Sequence, residues 1–246
     1  MIAAFIPARF NATRFPGKLM QKIGEHSVIA TTYLNTVKTK IFNQVYVVTD
    51  SQIIAEEIKS YNGEVIMSKK NHESGTDRIA EAIEHKDVDI VVNIQGDEPF
   101  VNTEALNKLL SPFKINPETQ VSTIVQPLTN QQSIADPNYV KVALDLNKNA
   151  LFFSRSPIPY PRDQAIFINY FEHIGLYAFT KNALLKFYHH PATPLEQAEK
   201  IECLRFLEMG IPIAVEISNY MGIEIDTPED LIVAQQYLHE LIKTNH

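Results

Sequence analysis

Cysteine is almost missing: Cys203 is the only one in 246 residues. An intramolecular disulfide is therefore excluded, and so is a zinc site built on cysteine pairs. A chain without such links suits a reducing, cytoplasmic setting. Long apolar runs are missing too. No stretch reaches 18 apolar residues, and no basic segment leads into a long apolar one at the start, so neither a membrane span nor a secretion signal is expected. The third lack is positive charge. Lys and Arg number 22 against 29 Asp and Glu, for a formal charge of −7, which argues against a protein that coats nucleic acid. What remains is ordinary globular composition, 45% hydrophobic and 21% charged, ample for a core that needs no staple.

Against that acidic balance, the stretch "IPARFNATRFPGK" (residues 6–18) holds Arg9, Arg14 and Lys18 and no acid. It follows an apolar run, so it leaves the carboxyl end of a first strand, where open α/β sheets bind ligands. It is not a dinucleotide fingerprint, since the chain has no G-x-G-x-x-G. Nor is it a P-loop, which would need Gly at Ala12 and Ser or Thr at Leu19. Arginine forks match phosphate oxygens bidentately and lysine adds a mobile point charge, so the loop is a candidate phosphate cradle, with a solvated corner as the plainer alternative.

Apolar runs at 2–6, 44–49, 64–68 and 89–94 have the Val/Ile content of buried strands. Helical patterns lie between them at about 27–39, 52–60 and 76–84, the second preceded by the cap signal Asp50-Ser51. This alternation predicts an α/β fold with a mostly parallel sheet covered by helices. From about residue 120 the rhythm changes. Strands are expected in "QVSTIVQPL", "YVKVALD", "EHIGLYAF" and "PIAVEI", with helices over 181–189 and 195–209. A last helix follows Thr227 as cap, with Pro228 in its first turn. The simplest organisation is one domain, residues 1–246, with an inserted antiparallel portion.

Three further stretches carry chemistry. "VNIQGDEPF" (92–100) runs a strand into Gln95-Gly96-Asp97, leaving a carboxylate at a strand's carboxyl end. A Mg²⁺ ion is held by one or two carboxylates plus substrate phosphates. Asp226, in "MGIEIDTPEDL" (221–231), is the candidate second ligand, with helix capping as its alternative role. "HESGTDR" (72–78) is a generic helix start that could also read a base through Ser74 and Arg78. Arg155, Arg162, His173 and Tyr177 are polar tips in aromatic surroundings. That mix suits a sugar acid, although His173 could be structural and Arg162 could pair with Asp163 on the surface.

"IPARFNATRFPGK", "ESGTDRIAEA", "VVNIQGDEPF", "FFSRSPIPY", "EHIGLYAF", "LEQAEKIECLR" and "IDTPEDL" occur in this order along nearly the whole chain. Together they resemble the 3-deoxy-manno-octulosonate cytidylyltransferases, or CMP-Kdo synthetases. The resemblance implies a Rossmann-like α/β/α nucleotide-diphospho-sugar transferase fold, a cytoplasmic homodimer, and the reaction CTP + Kdo → CMP-Kdo + diphosphate for lipopolysaccharide synthesis. It implies that Arg9, Arg14 and Lys18 hold the triphosphate and that Asp97 and Asp226 hold Mg²⁺. Arg9, Lys18, Asp97 and Asp226 would form the catalytic group. Ser74, Arg78 and Gln95 would lie near the cytosine or ribose. Arg155, Arg162, His173, Tyr177 and Glu202 would line the sugar site. Two positions depart from the family pattern: Phe10 replaces a frequent Tyr, and Cys203 stands where "EQLR" would place Gln. The second adjoins Glu202 and leaves Kdo and its 8-amino analogue both open as acceptor. Sialate activation, a glycosyltransferase using a nucleotide sugar, and a nucleotide-binding regulator are the rival readings. Asp97-Glu98-Pro99 does not match the Asp-x-Asp of the glycosyltransferase.

Overall fold

Ile2–Ala8 (β1) is almost wholly buried, so its apolar run is continuous rather than alternating. The computed structural model describes residues 1–11, 14–72, 74–163, 165, 167–220 and 222–244. Ala12 and Thr13 in the opening loop, Glu73 before the Ser74 turn, and Met221 at the head of the second acidic stretch lie outside them. Two compact units result, Met1–Thr103 with Gly222–His246, and Glu104–Met221.

In the first unit, β1 is followed by the short hairpin β2 (Lys22–Ile23) and β3 (His26–Ser27), then α1 (Val28–Lys38), β4 (Gln44–Thr49), α2 (Gln52–Ser60), β5 (Glu64–Met67), α3 (Gly75–Ile83) and β6 (Ile90–Asn93). β1 pairs in parallel with β4 and β6, and β4 with β5. The order β6-β1-β4-β5 therefore aligns the carboxyl ends of all four strands. Ser27, Ser51 and Ser74 each cap their helix by accepting a backbone N–H, serine being among the residues most favoured at that position.

The second unit opens with α4 (Thr103–Ile115), continues through β7 (Val121–Leu128), α5 (Gln131–Ala135), β8 (Lys141–Leu144), β9 (Ala150–Ser154), β10 (Tyr170–Thr180), α6 (Lys181–His189), α7 (Pro194–Glu199) and α8 (Leu204–Glu208), and ends with β11 (Ile213–Ile217). β7 pairs in parallel with β11 and antiparallel with β10, while β8 runs antiparallel to β10 and β9. This is the expected insertion, and it begins earlier than the change of rhythm near residue 120. The chain then returns to the first unit as α9 (Pro228–Thr244). Among the described residues no helix is long and apolar enough to cross a membrane.

The helix expected over 195–209 is two helices. Lys200 adopts the left-handed conformation, φ 56°, which ends α7. Arg205 then reaches back from α8 to grip Glu196, Nε to Oε2 at 2.7 Å and Nη2 to Oε1 at 2.5 Å.

Candidate active site

The first unit brings Lys18, Asp97, Asp226 and Arg14 together. Gly17, at φ +70°, takes a conformation that L side chains rarely adopt. It turns the opening loop into a 3-10 turn at Lys18–Met20, and its N–H closes the loop on Phe10 O at 3.1 Å. Gly96 is required by close approach, since a Cβ there would lie 2.9 Å from Pro7 O. Thr32 Oγ1 donates to Gly96 O at 2.9 Å and Asn35 Nδ2 to Pro99 O at 2.7 Å. α1 thereby fixes the loop that presents Asp97. Ile225 N–H donates to Asp97 O at 3.0 Å, which sets Asp226 beside it.

Capping is not what Asp226 does with its carboxylate. Asp230 Oδ2 accepts from the N–H groups of Asp226 and Thr227 at 3.0 and 2.8 Å, and Asp230 N–H donates to Thr227 Oγ1 at 3.3 Å. Thr227 and Asp230 close the start of α9 between them. The Asp226 carboxylate instead accepts from Lys18 Nζ at 2.7 Å and pairs with Arg14 Nη1 at 3.0 Å. Lys18 Nζ also donates to Asp97 Oδ2 at 2.5 Å, and the lysine is buried. Desolvation lowers the Lys18 ammonium's pKa, but the two aspartates outweigh it and raise the value overall.

Glu224, absent from the sequence-based candidates, joins this group: ligand oxygens of Asp97, Glu224 and Asp226 all lie within 4.8 Å of one another. Glu224 is exposed as a residue, yet burial of its carboxyl, then the charges of Asp97 and Asp226, push it up to about 7. The signal for it was present. In an extended segment, residues two apart share a side, and Glu224 precedes Asp226 by two.

Arg9 and Arg78 line one cavity of 500 Å³ with Asn71, His72 and Asp50. The buried Arg78 guanidinium is held by Asp50 Oδ2 at 3.0 Å and Ser68 Oγ at 2.9 Å. Ser74 Oγ is engaged in its cap, accepting from Asp77 N–H at 3.1 Å. Gln95 packs near Gly75, where a Cβ would meet its Oε1 at 3.4 Å.

In the second unit, β10 carries His173 and Tyr177 on either side of a register shift. Their rings lie 5.1 Å apart, with Phe153 at 5.2 Å from His173. Tyr177 bonds the buried Cys203, whose thiol burial pushes up to about 12. Burial likewise raises the Tyr177 hydroxyl, with Cys203 and the charge of Glu202 adding to it. The Nε2 of His173 is buried with no hydrogen-bond partner among the described residues. Arg155 behaves as a tie, donating to Glu199 O and Pro137 O, each at 2.8 Å. Arg162 is exposed, while its neighbour Asp163 accepts from Ala165 N–H at 2.9 Å.

Burial lowers the His173 imidazole from 6.5 to about 4. Between these values the unfolded chain holds a proton that the folded chain does not. This contribution to stability is full above about pH 6.5 and is lost as pH falls toward 4, by roughly 3 kcal/mol in all. Thermal melts of wild type and His173→Gln at pH 7 and pH 5 check this: the drop in Tm on acidification is expected to be smaller in the variant. Equal drops would mean that His173 takes up its proton without unfolding.

The cytidylyltransferase family model matches residues 3–217. A curated 3-deoxy-manno-octulosonate cytidylyltransferase of Flavobacterium johnsoniae is 51% identical over 98% of this chain and 99% of its own. One of the same name from Christiangramia forsetii is 51% identical over 96% of each. Among solved structures, a CMP:2-keto-3-deoxy-manno-octonic acid synthetase complexed with CTP superimposes with TM-score 0.93 at 33% identity, over 97% of this chain and 98% of that one. A 4-diphosphocytidyl-2C-methyl-D-erythritol synthase from Anaerococcus prevotii, at TM-score 0.64 and 19% identity over 97% of this chain and 98% of its own, shares the fold. The family match and the half-identical, full-length relatives agree with the motif order: this chain belongs to the cytidylyltransferases, in the 3-deoxy-manno-octulosonate branch.

Proposed function

We propose that the chain catalyses CTP + Kdo → CMP-Kdo + diphosphate, activating Kdo for lipopolysaccharide synthesis. The observation that carries this reading is the meeting of Asp97, Asp226 and Lys18 at the carboxyl ends of a parallel sheet, in a chain of this family. The reaction joins an anomeric hydroxyl oxygen of Kdo to the α-phosphorus of CTP in line and breaks that phosphorus's bond to diphosphate, which leaves with the electron pair. The hydroxyl proton passes to solvent. Such transfer depends on positioning and charge neutralisation. Arg9, Arg14 and Lys18 hold the triphosphate oxygens, and the turn at Gly17 lets backbone approach them. Arg78, rigid through Asp50 and Ser68, serves the base or ribose with Ser74 and Gln95. His173, Tyr177, Glu202, Arg155 and Arg162 serve the sugar acid, and the unpartnered Nε2 of His173 supports a hydroxyl contact.

A divalent cation fits the donor set. Hard oxygen ligands from Asp97 and Asp226 stand close together and already attract an ammonium group. Magnesium bound there would supply Lewis-acid charge neutralisation and lower the pKa of the attacking hydroxyl. The assay is diphosphate release from CTP with Kdo, with and without Mg²⁺, beside sialic acid and 8-amino-Kdo. Release that needs both Kdo and Mg²⁺ is expected. Release with sialic acid instead would move the chain to another acceptor, and CTP binding without release would make it a regulator.

The whole chain acts as one nucleotidylyltransferase domain, a reading supported by relatives that match along nearly all of it. Its lone, buried free thiol suits the cytoplasm. A homodimer is supported by apolar surface in the second unit. Phe167 is 87% exposed and lines a 630 Å³ groove with Leu128, Ile134 and Ile168. Light scattering on the eluting protein is expected to give twice 27.9 kDa, and Phe167→Glu is expected to shift it toward the single-chain mass.

A further inference from the structure

Lys18 occupies the place a metal would take. Its Nζ lies 2.5 Å from Asp97 Oδ2 and 2.7 Å from Asp226 Oδ1, and its side chain is only 10% exposed. The carboxylate oxygens of Asp97, Glu224 and Asp226 lie within 4.8 Å of one another, which leaves room for one cation among them. Mg²⁺ would need its oxygens at about 2.0–2.1 Å, drawn from the same two aspartates that grip the ammonium. Two positive charges at that spacing repel strongly in a part-buried site. Arg14 also touches Asp226, at 3.0 Å, but its side chain is 75% exposed and turns away at little cost. Lys18 is the obstacle.

We propose that Lys18 is the resident counter-ion of the carboxylates in the nucleotide-free enzyme, so that a divalent cation settles on Asp97 and Asp226 only when something else takes the ammonium away. This rests on the reading of those two residues as metal ligands. CTP is the group suited to take it. Its triphosphate offers the ammonium new anionic partners, and the lysine stem can swing while its backbone stays fixed. Gln21 N–H donates to Lys18 O at 3.1 Å, so the turn holds the base of that stem. The metal then enters with the nucleotide rather than ahead of it. The carboxylates, for their part, are never left as a bare cluster of like charge.

The test is Mn²⁺ binding without nucleotide, followed by loss of the free-ion electron paramagnetic resonance signal. Wild type, Lys18→Met and Lys18→Gln are compared, the glutamine variant covering a fold that does not tolerate methionine. Both variants are expected to bind Mn²⁺ about tenfold or more tightly than wild type, while their KM for CTP rises. Binding no tighter than wild type in the variants that fold would overturn the counter-ion role and leave the metal assignment standing. Asp97→Asn in the Lys18→Met background is expected to abolish the gain. If the gain survives that change, the ion sits elsewhere, and the metal reading falls together with the proposal.

Discussion

Asp97→Asn should lower kcat/KM roughly a thousandfold, about 4 kcal/mol of transition-state stabilisation, while Tm moves by no more than a few degrees. The two halves of this expectation have separate causes. Asparagine keeps the volume and the neutral oxygen of the side chain, and the backbone contacts that place the loop belong to Gly96, Pro99 and Ile225 rather than to the carboxylate. What disappears is a full negative charge facing Lys18, at the point where a divalent cation would be held. The fold should therefore persist without the chemistry. Steady-state diphosphate release and a thermal melt measure the two halves independently, and near-normal turnover would remove Asp97 from the metal site.

Lys141→Met should be the most destabilising single change of a charged residue, at about 3–5 kcal/mol, a fall in Tm of about 10 °C for a chain of this size. Lys141 has no exposed surface. Its Nζ donates to three backbone carbonyls, Asp136 O at 2.9 Å, Tyr139 O at 2.6 Å and Arg155 O at 2.5 Å. Methionine fills most of the space and removes the donor from three part-buried acceptors. Opposing this, burying an ammonium is itself costly, and methionine relieves that cost. The three bonds are expected to win because Tyr139 O and Arg155 O lose this donor outright, while Asp136 O keeps only the N–H of Tyr139, at 3.3 Å. An unchanged Tm would show that the two effects cancel. Lys141→Gln, which keeps one donor group, should fall between wild type and methionine.

The sequence made the buried parallel strands easy to read because strands covered on both faces are continuous apolar runs. β4 over Gln44–Thr49 and α6 over Lys181–His189 agree with expectation to the residue. α4 was not foreseen, although Ala105, Leu106, Leu109 and Leu110 make a helical stripe, because Pro112 interrupts the pattern. The break at Lys200 had no local signal, as neither glycine nor asparagine marks the left-handed residue. At the site, Arg14, Lys18 and Asp97 were legible from the loops that follow apolar strands and Asp226 from its place before a capped helix, whereas Glu224 was missed although it precedes Asp226 by two. Lys141 was not. A lysine between two valines in a strand gives no sign that three backbone carbonyls will receive it.

The bond from Ile225 N–H to Asp97 O joins residues about half the chain apart, and this has a bearing on biosynthesis. On the ribosome, the parallel sheet can begin to form once β6 has emerged. Its second acidic partner is still unmade then, and every residue of the inserted unit must be translated before Asp226 appears. A polypeptide that ends before Asp226 lacks one of the two carboxylates that hold Lys18. The cluster of Lys18, Asp97 and Asp226 is complete only once Asp226 has been made.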